Sequence, residues 1–300
     1  MTAGAFKTDD GSRVAGGRGS RLRRLGLYSV LMLIATAFLL PLVWMIATSL
    51  KNSEQAASGA ISLLADPPSS TLEQASRNYT AVWKDPSVRF PLYLRNSLVI
   101  ALLSVGGMVV SSAIVAYAFA RIRWRGRGAA FAVMLATMMI PFPVIMGPLF
   151  LIFSKIGWVG TLKPLWVPAW FGGAFNIFLL RQFYQTIPRE LDEAARIDGC
   201  SHWGIFWRII VPLSRPALAV VALFHFIYVW NDFLAPLIFL THQDQFTLAL
   251  GLQLYQGRAG NTPWNHLMAA STLVVAPVLV LFVLTQRTFV KGISAGGVKE

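Results

Sequence analysis

The sequence predicts an all-α, polytopic integral membrane protein with six transmembrane helices and both termini on the cytoplasmic side. Three observations predict it. Hydrophobic types make up 55% of the 300 residues and charged types only 13%, about half the roughly 25% charged fraction of soluble domains. The apolar residues fall into blocks long enough to cross a hydrocarbon core of about 30 Å, which takes about 20 residues as helix. Basic residues flank those blocks and are concentrated on one side, as membrane topology demands.

Residues 1–24 form a Gly/Arg/Ser-rich tail without apolar periodicity, expected to lack fixed structure. The first block, residues 25–50, lies between Arg24 and Lys51. It is longer than the apolar region of a cleavable signal, about 7–15 residues, and reads as an uncleaved anchor. The second block covers residues 96–120. The third, 129–153, contains Pro141, Pro143 and Pro148 and is expected to kink. The fourth, 161–180, is the least regular, with Pro164, Pro168 and the pair Gly172-Gly173. The fifth runs over 216–240 and the sixth over 267–284. These continuous runs exclude the alternating pattern of a membrane β-barrel.

With the N-terminus inside, the cytoplasmic segments carry most of the 26 basic residues. They are the tail, the Arg121–Arg127 stretch, the segment from Arg181 to Arg215, and the C-terminus with Arg287, Lys291 and Lys299. The net charge of +13 therefore reports topology. A nucleic-acid surface needs clustered, exposed Lys/Arg interleaved with aromatics, and that pattern is absent. One cysteine, Cys200, excludes an intrachain disulfide and a multi-cysteine zinc site. No Gly-x-x-x-x-Gly-Lys-[Ser/Thr] run occurs, so the chain lacks a phosphate-cradling loop of its own. His202, His225, His242 and His266 are too dispersed to suggest a metal or a catalytic triad.

Residues 181–215, between the fourth and fifth blocks, carry the most information. Pro188 followed by Glu190, Asp192 and Glu193 suits a helix start, where proline is tolerated and acids complement the helix dipole. That helix is expected to run to about Ile197 and stop at Asp198-Gly199. Ser201 can cap a second short helix with Ile205/Ile209 and Phe206/Ile210 at four-residue spacing, ended by Pro212. The expectation is a compact helix–turn–helix projecting into the cytoplasm.

The run Glu193-Ala194-Ala195, then Asp198-Gly199, then Ile209 and Val211-Pro212 resembles the EAA loop of binding-protein-dependent ABC importer permeases. The flanks narrow the resemblance to the carbohydrate-uptake branch, permeases similar to the maltose system's second membrane subunit. They are Phe178-Leu179-Leu180-Arg181-Gln182-Phe183, Asn96-Ser97, Ala116-Tyr117-Ala118-Phe119-Ala120-Arg121, Trp230-Asn231-Asp232-Phe233-Leu234 and the tail Gly292–Lys299. The resemblance covers roughly residues 25–300. Cys200 stands where alanine is usual, and Asp232 where glutamate is common.

The resemblance implies an importer transmembrane domain over residues 25–300 in the cell membrane, with its coupling loop at 181–215. Glu193, Ala194, Ala195, Asp198, Gly199 and Pro212 are the implied ATPase-coupling residues. Implied partners are a sister permease, two ATP-binding cassette subunits and an extracytoplasmic solute-binding protein, besides membrane lipid. The chain itself binds no cofactor in this reading; ATP and magnesium belong to the partner ATPase. The solute is a sugar, or a polyol or glycerol-phosphate relative.

His225, Asn231 and Asp232 are candidates for the solute path. His225 lies near the midplane, about 13 Å into the fifth span, where an interhelical hydrogen bond competes with a solute role. Asp232, about 24 Å along, belongs either to the rim of a vestibule or to an interfacial anchor beside Trp230. Ser112, Ala116 and Ala120, with Gly107 and Ser111, read as helix packing. Two other function classes predict different behaviour. A membrane-embedded enzyme needs clustered polar residues at membrane depth, and a secondary carrier needs gradient-driven uptake and often matching halves.

Overall fold

A computed structural model describes residues 19–59, 61–256 and 262–296, with side chains over 23–59, 61–256 and 262–286. The N-terminal residues 1–18, Arg258, and the final Gly297, Val298, Lys299 and Glu300 lie outside the described residues, and with them most of the predicted tail. The described chain is built from helices, and each follows from the local sequence.

α1 (Gly19–Ser49) contains the first predicted block. It begins ahead of that block, taking in residues expected to be unstructured, because leucine and arginine continue a helix at little cost. Nearly all its apolar side chains point away from the protein, Phe38 at 81% exposure, which is a surface for lipid. Between α1 and the next long helix lie α2 (Ser53–Ala57), opened by the Asn52 side chain accepting from the Gln55 amide, and α3 (Thr71–Lys84).

α4 (Phe90–Arg121) spans 32 residues, about 48 Å at 1.5 Å per residue, and forms the middle of the bundle. The small residues singled out above sit against its neighbours: Ser112, Ala116 and Ala120 are buried. At Gly107 a Cβ would lie 2.4 Å from the Trp170 ring, so only glycine admits that indole.

The third block divides into α5 (Arg127–Thr137) and α6 (Phe142–Lys155), bent by 96°. That exceeds the expected kink. Pro141 and Pro143 remove two donors within three residues, and the chain closes into tight turns over Met138–Ile140 instead of continuing its helix. The fourth block is interrupted as well. It comprises α7 (Lys163–Trp166), a tight turn over Val167–Phe171, the left-handed Gly172 (φ 84°) and α8 (Ala174–Thr186). α8 packs along α4 and continues past the predicted end of the block, so Arg181 is helical, its guanidinium 4.2 Å from the Phe131 ring centroid on α5.

Next come α9 (Glu190–Ile197), α10 (His202–Ile205) and α11 (Val211–Leu213), with a widened helical turn at Phe206–Ile210 between the last two. The fifth block is not one helix. α12 (Arg215–Trp230) ends before Asn231, and α13 (Leu234–Phe239) follows as a separate short piece. α14 (Leu248–Leu252) leads to α15 (Trp264–Gly296), which contains the sixth block and packs on α1, α3 and α12.

Three described helices are long and apolar enough to cross a membrane: Arg23–Ser49, Phe90–Arg121 and Trp264–Gln286. The bent pairs α5/α6 and α10–α11/α12, the latter at 77°, bring the number to five if each is one span.

Two apolar clusters hold the bundle. One, at the Arg121 end of α4, joins Tyr117, Leu180, Tyr184, Ile205, Phe206, Ile210 and Val221. The other, at the Phe90 end, joins Val82, Tyr93, Trp230, Leu248, Tyr255 and Ala270. Beside the second sits a polar knot. The buried Asn78 side chain donates to the carbonyls of Ser49 and Lys51, both at 2.8 Å, and accepts from Asn265 at 2.9 Å. It ties the end of α1, α3 and the start of α15 together where backbone carbonyls are left free by helix termination.

Candidate functional site

The 181–215 segment forms the expected helix–turn–helix. α9 opens with the amides of Asp192 and Glu193 donating to the Arg189 carbonyl. It closes in a Schellman arrangement: Gly199 N–H donates to Arg196 O at 3.0 Å and Cys200 N–H to Ala195 O at 2.8 Å, with Gly199 at φ +81°. Ser201 then caps α10, its hydroxyl accepting from the Gly204 amide at 3.2 Å.

One expectation needs correction. Pro212 does not end the second helix. The turn at Phe206–Ile210 is widened, with the Val211 amide reaching back to the Phe206 carbonyl. A widened turn makes room for the ring and missing donor of Pro212. The helix stops two residues later at the fully buried Ser214, whose hydroxyl donates to Ile210 O at 2.7 Å.

Ile205, Phe206 and Ile210 are buried against Tyr117 and Ala120 of α4 and Tyr184 of α8. Tyr117 contacts the Phe206 ring at 5.3 Å between centroids and reaches His202 Nδ1 at 3.5 Å. The opposite surface is open. Glu193, Ala194, Asp198, Gly199 and Pro212 are exposed and only Ala195 of the six singled out is buried. With them stand exposed apolar side chains that a solvated loop has no use for: Leu191, Ile197 (87% exposed), Trp203 and Trp207.

The residue that anchors α9 was not among the candidates. Asp192 is buried and pairs with Arg121, the last residue of α4, at 3.4 Å, while the same guanidinium donates to the Ile187 carbonyl at 2.7 Å. Asp192 looks solvated in an acidic run, and its partner is remote in sequence. The available signal was spacing: Asp192 lies three residues before the buried Ala195, on the same helix face.

Higher in the bundle, α4, α6, the α7–α8 region, α12 and α13 surround a cavity of about 780 Å3. His225, Tyr228 and Asp232 line it, with Ser104, Trp158 and Phe153 among an otherwise mostly apolar wall. His225 is fixed by an interhelical bond, its Nε2 lying 2.8 Å from the Ser104 hydroxyl on α4, and its ring stacks on Tyr228 at 6.0 Å. The expected interhelical bond of His225 is present, and the same side chain also lines the cavity. Asp232 sits in the break between α12 and α13, where its carboxylate accepts from the Ala235 amide at 3.2 Å. Asn231 does not line the cavity; its side chain donates to the Ile227 carbonyl at 2.8 Å and is exposed.

Residues 108–295, which contain the helix–turn–helix and every lining residue of the cavity except Ser104, match the family described as binding-protein-dependent transport system inner membrane component. The chain belongs to that family. Curated relatives agree over nearly the full length. The chain is 36% identical over 283 residues to the trehalose/maltose transport system permease of Thermococcus litoralis, covering 93% of this chain and 98% of that one. It is 35% identical to the arabinooligosaccharides transport system permease of Halalkalibacterium halodurans, covering 89% and 93%. In fold it resembles a chain of a bacterial ABC transporter involved in the import of the acidic polysaccharide alginate, with TM-score 0.76 and 22% identity over 90% of this chain and 98% of that chain. As a member of this family the chain is a multi-pass membrane component of a transport system that depends on a binding protein. The family match starts inside α4, so α1 and the segment up to it lie outside the matched residues.

Proposed function

We propose that this chain is the permease subunit of an ATP-driven sugar importer, which couples a solute cavity to a separate ATPase through residues 188–212. The knob formed by α9 and α10 carries the reading: it buries one face in the bundle and leaves the other open with apolar side chains. An exposed Leu191, Ile197, Trp203 and Trp207 are the composition of a docking surface. The names of the curated relatives support a sugar as solute.

In the membrane the chain crosses six times, by α1, α4, α5–α6, α7–α8, α12–α13 and α15, with both termini in the cytoplasm of a cell with this importer in its inner membrane. A sister permease completes the pathway, two ATP-binding cassette subunits dock below, and a solute-binding protein delivers sugar from outside. ATP and magnesium are held by the ATPase, and this chain needs no cofactor.

Closure of the ATPase pair displaces the knob through Glu193, Ala194, Ala195, Asp198 and Gly199. Because Ile205, Phe206 and Ile210 interlock with α4 and α8, and Asp192 is paired to Arg121, the displacement passes to α4. Ser104 and His225 join α4 to α12, so the walls of the cavity move with it. Inside, Tyr228 and Trp158 offer faces for sugar rings, and Asp232 and His225 offer hydrogen-bonding groups for hydroxyls.

The test is sugar-stimulated ATP hydrolysis by the assembled, reconstituted importer with and without Gly199→Asp. At φ +81° a side chain costs about 1–2 kcal/mol, and a new carboxylate at a helix C-terminus opposes the dipole. Stimulation by one sugar that the substitution abolishes, with assembly intact, supports both parts. Full stimulation in the variant refutes the coupling role, and stimulation by a peptide or inorganic anion alone refutes the sugar.

A further inference from the structure

A second recess lies between the last residue of α4 and the first turns of α9, separate from the solute cavity. Its volume is about 390 Å3 and its wall is polar: Arg121, Arg123, Arg189, Asp192, Glu193 and Arg196. We propose that it binds a phosphate group bearing an acidic proton, either inorganic phosphate or the phosphomonoester headgroup of phosphatidic acid.

Charge points to an anion. Four guanidinium groups face two carboxylates, and the one ion pair within the recess among the described residues is Arg121–Asp192. Arg123, Arg189 and Arg196 are exposed at the mouth and make no ion pair among the described residues. Arginine presents planar paired donors that match a phosphate in bidentate fashion.

The floor is built, and it is incomplete. The Arg121 side chain is 2% exposed and that of Asp192 8%. Arg121 Nε and Asp192 Oδ1 are nonetheless both buried without a hydrogen-bond partner. A buried donor and a buried acceptor left open on one ion pair call for an occupant. Both atoms are closed off as the side chains stand, so the phosphate meets them as Arg121 and Asp192 turn toward the recess: one of its oxygens accepts from Arg121 Nε, and its O–H donates to Asp192 Oδ1. A sulfate or an ionised carboxylate carries no such proton at neutral pH, so neither can satisfy Asp192.

Position allows both sources. α4 is about 48 Å long against a hydrocarbon core of about 30 Å, and Arg121 is its final residue. On the six-span reading proposed above, which puts the Arg121 end of α4 at the cytoplasmic face, the recess opens at the membrane–water interface, within reach of a headgroup and of dissolved phosphate alike.

The experiment uses the full chain purified in a neutral detergent and titrated with inorganic phosphate or sulfate by calorimetry. A parallel arm places it in phosphatidylcholine nanodiscs with and without phosphatidic acid, read by thermal unfolding. Arg123→Gln and Arg196→Gln, both exposed and expected to fold, are compared with Arg208→Gln, an exposed arginine away from the recess. Saturable phosphate binding, weakened about tenfold by Arg123→Gln or Arg196→Gln and unchanged by Arg208→Gln, with sulfate at least as much weaker, supports the site with a soluble source. The same variant dependence seen only with phosphatidic acid supports it with a lipid source. No saturation in either arm, equal effects of all three variants, or sulfate binding as tightly as phosphate overturns it.

Discussion

Two polar contacts on α4 bury hydrogen-bonding groups by opposite means. At its end, Arg121 meets Asp192 as an ion pair at 3.4 Å and also holds the Ile187 carbonyl. Near its middle, Ser104 meets His225 through one bond of 2.8 Å between uncharged-capable groups. Ser104 lies about 21 Å from the start of a helix about 48 Å long that is long and apolar enough to cross a membrane, and the middle of such a helix is where a charge is most expensive. Arg121 is the last residue of that helix. Position along one helix thus decides which kind of polar contact the sequence can use. The charged contact fixes the knob; the polar one lines the cavity without introducing a cation.

The largest effect is expected from breaking the charged contact. Arg121→Leu leaves Asp192 buried and uncompensated, a loss of about 3–5 kcal/mol, read as lowered thermal stability of the purified chain. Adding Asp192→Leu should recover part of that loss; if the double variant is no better than the single, the pair is not the cause.

Next in size is the packing that brings the α7–α8 region onto α4. Gly107→Ala places a Cβ 2.4 Å from the Trp170 ring and should cost about 1–3 kcal/mol, whereas Gly106→Ala, with nothing within 4 Å, should be neutral in the same melt.

The polar contact should be cheaper to lose. Ser104→Ala is expected to cost about 0.6–2 kcal/mol while disturbing transport more than stability, because it releases His225 into the cavity. A stability loss as large as that of Arg121→Leu would erase the contrast between the two contacts.

Smallest of all is Asp232→Asn. Asparagine caps a helix about as well as aspartate, so unfolding should shift by no more than a few tenths of a kcal/mol. Sugar uptake by the reconstituted importer is expected to change all the same. Unaltered uptake would move Asp232 from the solute path to the structural cap alone.

Much of the helix–turn–helix was legible because its signals are local. Proline and acids mark a helix start, Gly199 a left-handed stop, and Ser201 a cap, each needing only near neighbours in sequence. The end of its second helix was not, since Pro212 is accommodated by a widened turn that no local rule announces. The cavity was half legible. His225 and Asp232 stood out as polar residues in an apolar block, yet Asn231 beside them faces elsewhere, and Tyr228 and Trp158 gave no signal among many aromatics.

By itself the sequence determined the long apolar helices α1, α4 and α15, the placement of basic residues at their ends, and the resemblance carried by Glu193-Ala194-Ala195 and Asp198-Gly199. Those follow from hydrophobicity and backbone preference, which each short stretch holds within itself. Only the tertiary structure decided that the third block bends by 96°, that the fifth breaks at Asn231–Phe233, and that Asp192 is an anchor rather than a solvated acid. Each depends on what stands opposite: a proline's missing donor, a cavity wall, or an arginine at the far end of another helix. Pairings of that kind are set by burial in three dimensions, where an unpaired charge or donor is too costly to leave.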